Sequence, residues 1–289
     1  MMLDAHLSGV SMDSLLMIGH QALLLHRSEL KAIRSICPGA LSNYQWGEYA
    51  DRFFTECLNV TKVNTLDFSS YEGADILHDL NQPIPESLKG QFDVVVEAGS
   101  LEHVFHFPVA IQNLMQLTKV GGRIFASTVS NNLCGHGFYQ FSPELVFRVF
   151  TDKNGFELGK VFALEARYPS VELTPISKVF EVADPAITGC RVGLMTQRPI
   201  LLLFDARKTI ESSVFAKFPM QSDYVTAWNS TDSTASSRMP KWVRNLPLYS
   251  PVRIWLHKTT LVKWLINWMT GQAQLRQFSL KNKQLFKKM

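Results

Sequence analysis

A 289-residue chain with 46% hydrophobic and 19% charged residues has the balance of a soluble globular protein, with room for one large domain or a medium domain and an appendage. Its four cysteines (Cys37, Cys57, Cys134, Cys190) are scattered without a CxxC pair, which argues against a disulfide framework or structural zinc site and points to a reducing cytoplasm. The net charge of +4 divides unevenly: residues 238–289 carry 11 Lys and Arg and no acid, leaving 18 basic against 25 acidic groups, a balance of −7, before them. The first residues include Asp4 and have no basic segment ahead of an apolar core, so no secretory signal is expected. No internal repeat is visible.

In chain order, residues 1–13 read as a lead-in and Leu15 to Ile18 as a first strand, with Gly19 at its end. Leu23 to Ile36 is expected to be helical, closed by Pro38-Gly39, and Tyr49 to Leu58 gives a second helix with Phe53, Phe54, Cys57 and Leu58 at core spacing. Short strands follow over Val63 to Leu66, ending in Asp67, and over Ala74 to Leu77. Val94-Val95-Val96, after Phe92-Asp93, is apolar and β-branched, the composition of a strand buried on both faces. From Pro108 the period becomes helical through Val109, Ile111, Leu114, Met115 and Thr118. Gly121-Gly122 is expected to cap that helix before a strand over Arg123 to Thr128. Strand, helix and strand make one βαβ unit of a parallel sheet. Ser142-Pro143-Glu144 starts another helix, with Ser as N-cap and Pro at the first position. Phe156 to Ala166 and Pro199 to Phe204 read as the final strands, with an irregular insertion at 167–198.

The segments FDVVVEAGSLEHV and KVGGRIFAST carry more than their pattern. Phe92-Asp93-Val94-Val95, Leu101-Glu102-His103-Val104 and Gly121-Gly122 resemble the fourth-to-fifth-strand region of class I S-adenosylmethionine-dependent methyltransferases, in the wording of a methyltransferase type 11-like domain. Val120 stands where that family usually has proline. The resemblance implies a Rossmann-like, doubly wound, mostly parallel α/β sheet with helices on both faces, and S-adenosylmethionine as cofactor. In the family the first strand runs into a glycine-rich loop. Here Gly19 matches its first glycine, while Met17, Gln21 and Leu23 replace the acid and the other two, so this motif is degenerate.

The resemblance gives Asp67 to the cofactor ribose, where a carboxylate accepts two hydrogen bonds; the plain alternative is that Asp67 starts a turn with Ser69 and Ser70. Asp79 and Leu80 match the positions that meet the adenine amino group and ring, or else Asp79 is a loop residue before Pro83 and Pro85. Glu97 ends the fourth strand and is placed with the cofactor residues; His103 is either catalytic or part of a structural helix start. His103 and His106 have the spacing of a metal pair, but no third ligand is evident and no metal is expected. Residues 130–141 should lie over the same sheet edge, with His136 and Tyr139 as acceptor-side residues unless Gly135-His136-Gly137 is simply a tight turn.

Three units are expected: a methyltransferase-like domain over 1–206, a Ser/Thr-rich linker over 207–240, and a basic amphipathic extension over 241–289. Pro251 to Met269 forms an apolar helical side studded with Arg253, Lys258 and Lys263, too interrupted to span a bilayer. It suits docking on the acidic body or lying on an anionic membrane surface, which would make the protein peripheral at the inner membrane face. No nucleic-acid recognition motif accompanies the charge. Two readings of function follow: a methyltransferase acting on an unidentified acceptor, or a binding or scaffold protein that keeps the fold without the cofactor. A third makes the basic tail a membrane-surface adaptor.

Overall fold

In the computed structural model, which describes residues 1–166, 177–229, 268, 275 and 277–289, the elements run α1 (Met2–Leu7), β1 (Ser14–Ile18), α2 (Arg27–Ile36), α3 (Asp51–Leu58), β2 (Lys62–Asp67), β3 (Ile76–Leu77), β4 (Phe92–Ala98) and α4 (Phe107–Leu117). They continue with β5 (Thr118–Asn131), α5 (Pro143–Val149), β6 (Phe156–Glu165), β7 (Lys178–Val182), α6 (Pro185–Thr188), β8 (Ile200–Lys208), α7 (Ser222–Asn229) and β9 (Phe286–Lys288). The strands form one sheet in the order β3-β2-β1-β4-β5-β8-β6-β7-β9.

Because β1 is apolar at Leu15, Leu16, Met17 and Ile18, it must be covered on both faces. Leu16 and Ile18 join Val95, Ile124 and Ala126 under α4 and α5. Leu15 and Met17 join Val94, Val96 and Phe125 under α1 and α3. This is a Rossmann-like sheet with helices on both faces. Parallel pairing holds from β3 through β5, whereas β8, β6, β7 and β9 pair antiparallel and so need no crossover helix between them.

Several expectations are corrected. Gly121-Gly122 does not end a helix: α4 stops at Leu117 and Thr118 already belongs to β5. The buried Lys208 ammonium donates to Thr118 O at 3.0 Å, a cation at the helix C-terminus. The glycines instead sit in a bulge, where the β4–β5 register shifts between Phe92 and Val94. A Cβ at Gly122 would stand 2.7 Å from Asp93 O. The helix expected from Leu23 begins only at Arg27, because residues 22–25 run extended beside 44–49; Leu23 N–H donates to Glu48 O at 2.7 Å, and Ala22 bridges to Tyr49.

The insertion at 167–198 contains β7 and α6; residues 167–176 lie outside the described residues. The linker expected from 207 instead opens within the sheet, with Lys208 in β8, Val214 buried in the core and α7 at Ser222–Asn229. Nor does the expected domain end at 206: Leu285 and Phe286 are buried in the main core and β9 pairs with β7. The basic helix proposed around Arg253, Lys258 and Lys263 lies outside the described residues, as does most of the Ser/Thr-rich run. Among the described residues no helix is long and apolar enough to cross a membrane.

Candidate functional site

β1 lies between β2 and β4, and its chain order reverses there, so the carboxyl ends of these strands open a crevice at the switch point of the sheet. A cavity of about 330 Å³ occupies it, lined on successive strand ends by Gly19, Asp67 and Phe68, His78 to Asn81, Gly99 and Ser100, and His103. Gly19, Asp67, Asp79, Leu80 and His103, chosen from four places in the sequence, therefore meet around one space. A larger cavity of about 460 Å³ lies beside α5, between Glu144, Arg148 and residues 185–192, and contains none of the candidate site residues read from the sequence.

Gly19 takes φ +69°, and a Cβ there would stand 3.3 Å from Ser100 Oγ and 3.9 Å from Asp67 Oδ2. The backbone thus passes close to both neighbouring loops. Gln21 folds back over this turn, its amide nitrogen donating to Ile18 O at 2.7 Å and to Gly19 O at 3.4 Å. Leu23 does not crowd the cavity; it packs in the apolar clusters around α3, and Met17 is buried in the core below. Sequence reasoning missed His20, whose ring stacks on Tyr49 at 3.5 Å and is held between Glu72 O and the Asp51 carboxylate.

Asp67 makes the local turn and also reaches the crevice. Its Oδ1 accepts from the backbone N–H of Phe68 and of Ser69, making the local turn, while Oδ2 faces Gly19. Asp79 Oδ1 accepts from Asn81 N at 2.9 Å and from the Asn81 side chain at 2.8 Å, which holds its carboxyl below the usual range. Leu80 is buried in the core beneath. The segment 80–84 is pinned by Asn113 of α4, which is buried; its side-chain oxygen accepts from Ile84 N at 3.1 Å and its nitrogen donates to Gln82 O at 2.8 Å. A lone polar residue on the apolar stripe of α4 was the signal that could have found it.

Glu97 does not line the cavity. It is 1% exposed, and its Oε1 accepts from the backbone N–H of Gly99, Ser100 and Leu101, so it shapes the loop after β4. Its Oε2 is buried without a hydrogen-bond partner. Burial, and then the charge of Glu102, push its carboxyl up to about 8 against the pull of those N–H donors.

Glu102 is likewise 1% exposed, with Oε2 accepting from Thr128 Oγ1 at 2.8 Å. The loop 133–140 settles on it: Phe138 N–H donates to Glu102 O at 2.8 Å, and a Cβ at Gly137 would stand 2.7 Å from the same oxygen. This close approach brings His136 Nε2 to 3.7 Å from Glu102 Oε1, with the His136 and His103 rings 5.1 Å apart. Tyr139 goes elsewhere, its hydroxyl donating to Phe105 O at 2.7 Å and its ring packing on Phe107 and Phe141, where it braces the loop. His106 is not one of this group; its backbone N–H donates to Asn81 Oδ1 at 2.9 Å.

No protein-family model matches the sequence, and a search of curated proteins finds no match. Among solved structures, the chain is similar to a SAM-dependent methyltransferase from Thermotoga maritima, at 17% identity and TM-score 0.40 over 72% of this chain and 87% of that one. It is similar to the N-methyltransferase NodS from Bradyrhizobium japonicum, in complex with S-adenosylhomocysteine, at 15% identity and TM-score 0.37 over 72% and 84% of the two chains. It is also similar to the 1,6-didemethyltoxoflavin-N1-methyltransferase of Burkholderia thailandensis, at 12% identity and TM-score 0.36 over 72% and 75%. These are likenesses of chain path at low identity, and the functional reading is built on this chain's own residues.

Proposed function

We propose that the chain is an S-adenosylmethionine-dependent methyltransferase whose cofactor lies in the crevice at the carboxyl ends of β1, β2 and β4. The observation that carries this reading is the cavity of about 330 Å³ on which Gly19, Asp67, Asp79, Leu80 and Ser100 converge, a size within the range of small-molecule sites. The residues suit the group. Asp67 Oδ2 lies beside Gly19 in the crevice and is, in this reading, the acceptor for a ribose hydroxyl. Leu80 supplies an apolar wall for a purine, Asp79 is held ionised beside it, and the absent side chain at Gly19 lets backbone approach a ligand. When bound, S-adenosylmethionine supplies a methyl group on a positively charged sulfur. What remains for the protein is alignment of the acceptor, with a base only where the acceptor must lose a proton. His103 and His136, side by side over Glu102 at the rim, are the acceptor-side groups of this reading.

A second reading, a binding protein without the cofactor, is favoured by one feature: Gln21 covers the turn at Gly19, and no helix begins until Arg27. Calorimetric titration with S-adenosylhomocysteine separates the two. The enzyme reading expects micromolar binding that Asp67→Ala weakens about tenfold or more, the loss of roughly one or two hydrogen bonds. Absence of heat and of thermal stabilisation at millimolar ligand would leave the second reading.

A further inference from the structure

Beyond the cofactor crevice, the molecule has an unusual charge arrangement. Glu97 and Glu102 are both 1% exposed and interact electrostatically, yet among the described residues no Lys or Arg side chain meets either carboxylate. Buried carboxylates are ordinarily paired with a cation or bound to a metal. What faces Glu102 is a pair of imidazoles. His103, Glu102 and His136 each present a ligating atom, and the three atoms lie within 4.8 Å of one another. The separation of 3.7 Å between His136 Nε2 and Glu102 Oε1 is too long for a hydrogen bond. Two ligands each about 2.1 Å from one ion in tetrahedral geometry stand roughly 3.4 Å apart. The closure required falls on the exposed His136 and His103, and not on buried Glu102.

We infer that Glu102, His103 and His136 form a binding site for a divalent transition-metal ion at the rim of the crevice. The parts have separate roles. Thr128 Oγ1 donates to Glu102 Oε2 at 2.8 Å, which fixes the carboxylate and leaves Oε1 for the ion. The bare Cα of Gly137 lets the 133–140 loop rest on Glu102 O and so delivers His136. Two imidazole nitrogens and one carboxylate oxygen favour zinc, cobalt, iron or nickel over magnesium or calcium, which take oxygen donors. Three protein ligands would leave a coordination position open, and His103, one of them, also lines the crevice. The histidine pair suggested by sequence spacing, His103 with His106, is replaced by a pair joined across the fold.

The test uses the full chain without a histidine tag, stripped with chelator and titrated with Co2+ alone. Visible d–d absorption is recorded, and Zn2+ affinity is measured by competition. One equivalent binding at micromolar concentration with a d–d spectrum is expected. His136→Ala, on an exposed loop, and Glu102→Gln, which keeps the side-chain shape, should each weaken binding about 30-fold or more. His106→Ala should leave it unchanged. Absence of a saturable d–d band, or a band that persists undiminished in both His136→Ala and Glu102→Gln, would overturn the site. The probe is the metal by itself, so the outcome is independent of whether S-adenosylhomocysteine binds.

Discussion

Replacing Glu97 with Gln isolates the energetic cost of a carboxylate sealed into the loop after β4. The Gln carbonyl can still accept from the N–H groups of Gly99, Ser100 and Leu101, and the position of Oε2 has no partner in either case. The change therefore removes ionisation while keeping shape. Glu97 has its carboxyl at about 8 in the folded chain against 4.5 when unperturbed, so the folded state holds this proton more tightly than the unfolded one. Its contribution to stability is complete below pH 4.5 and is lost as the pH rises to about 8. At about 1.4 kcal/mol per pH unit, the full loss has a ceiling of about 5 kcal/mol, and relaxation around the charge lowers the measured figure to about 3. Glu102 is the charged group that acts on Glu97, so it must be metal-free in this comparison. Urea unfolding of wild type and Glu97→Gln is followed at pH 5, 6.5 and 8.5 in chelator. The two should be within about 1 kcal/mol at pH 5, and the variant should be more stable by about 3 kcal/mol at pH 8.5. Parallel stability curves across that range would refute the assignment of a sealed, proton-holding Glu97.

Gly137→Ala places a methyl 2.7 Å from Glu102 O, so the 133–140 loop must lift; a cost of about 2 kcal/mol in unfolding free energy is expected, with loss of hydrogen-exchange protection at Phe138 N–H. Asn113→Ala leaves the Ile84 N–H and the Gln82 carbonyl without their buried partner, and should lower stability by about 2–3 kcal/mol while loosening the segment that carries Asp79 and Leu80. If chemical denaturation shows Asn113→Ala within about 0.5 kcal/mol of wild type, the pinning role is wrong.

The sequence declared those parts whose chemistry is local. β1 and β4 are apolar on both faces, Ser142 caps α5 by accepting from Leu145 N, and both are visible in a few consecutive residues. Gly121-Gly122 misled because a helix cap and a β-bulge both use a glycine at positive φ, here +88° at Gly121. Leu23 to Leu25 misled because a short apolar run fits an extended edge as well as a first helical turn. At the crevice, the strand-end positions of Gly19, Asp67 and Asp79 were legible once the strands were placed. The meeting of Glu102 with His136 was not, since it depends on Gly137 resting against a backbone oxygen far away in the chain. Pairing of β7 with β9 was hidden for the same reason: neither strand carries a local sign of its partner.

That last pairing bears on biosynthesis. β7 leaves the ribosome long before Phe286–Lys288, the strand that pairs with its outer edge, has been made. The apolar side chains of Phe180 and Val182 are thus without Leu285 and Phe286 until those two residues have been made. Until then the nascent chain lacks the β9 partner of β7, and an unpaired strand edge is the kind of surface on which chaperones act. Lys287 and Lys288, exposed on the completed rim, then set charge on the edge where another sheet would otherwise add.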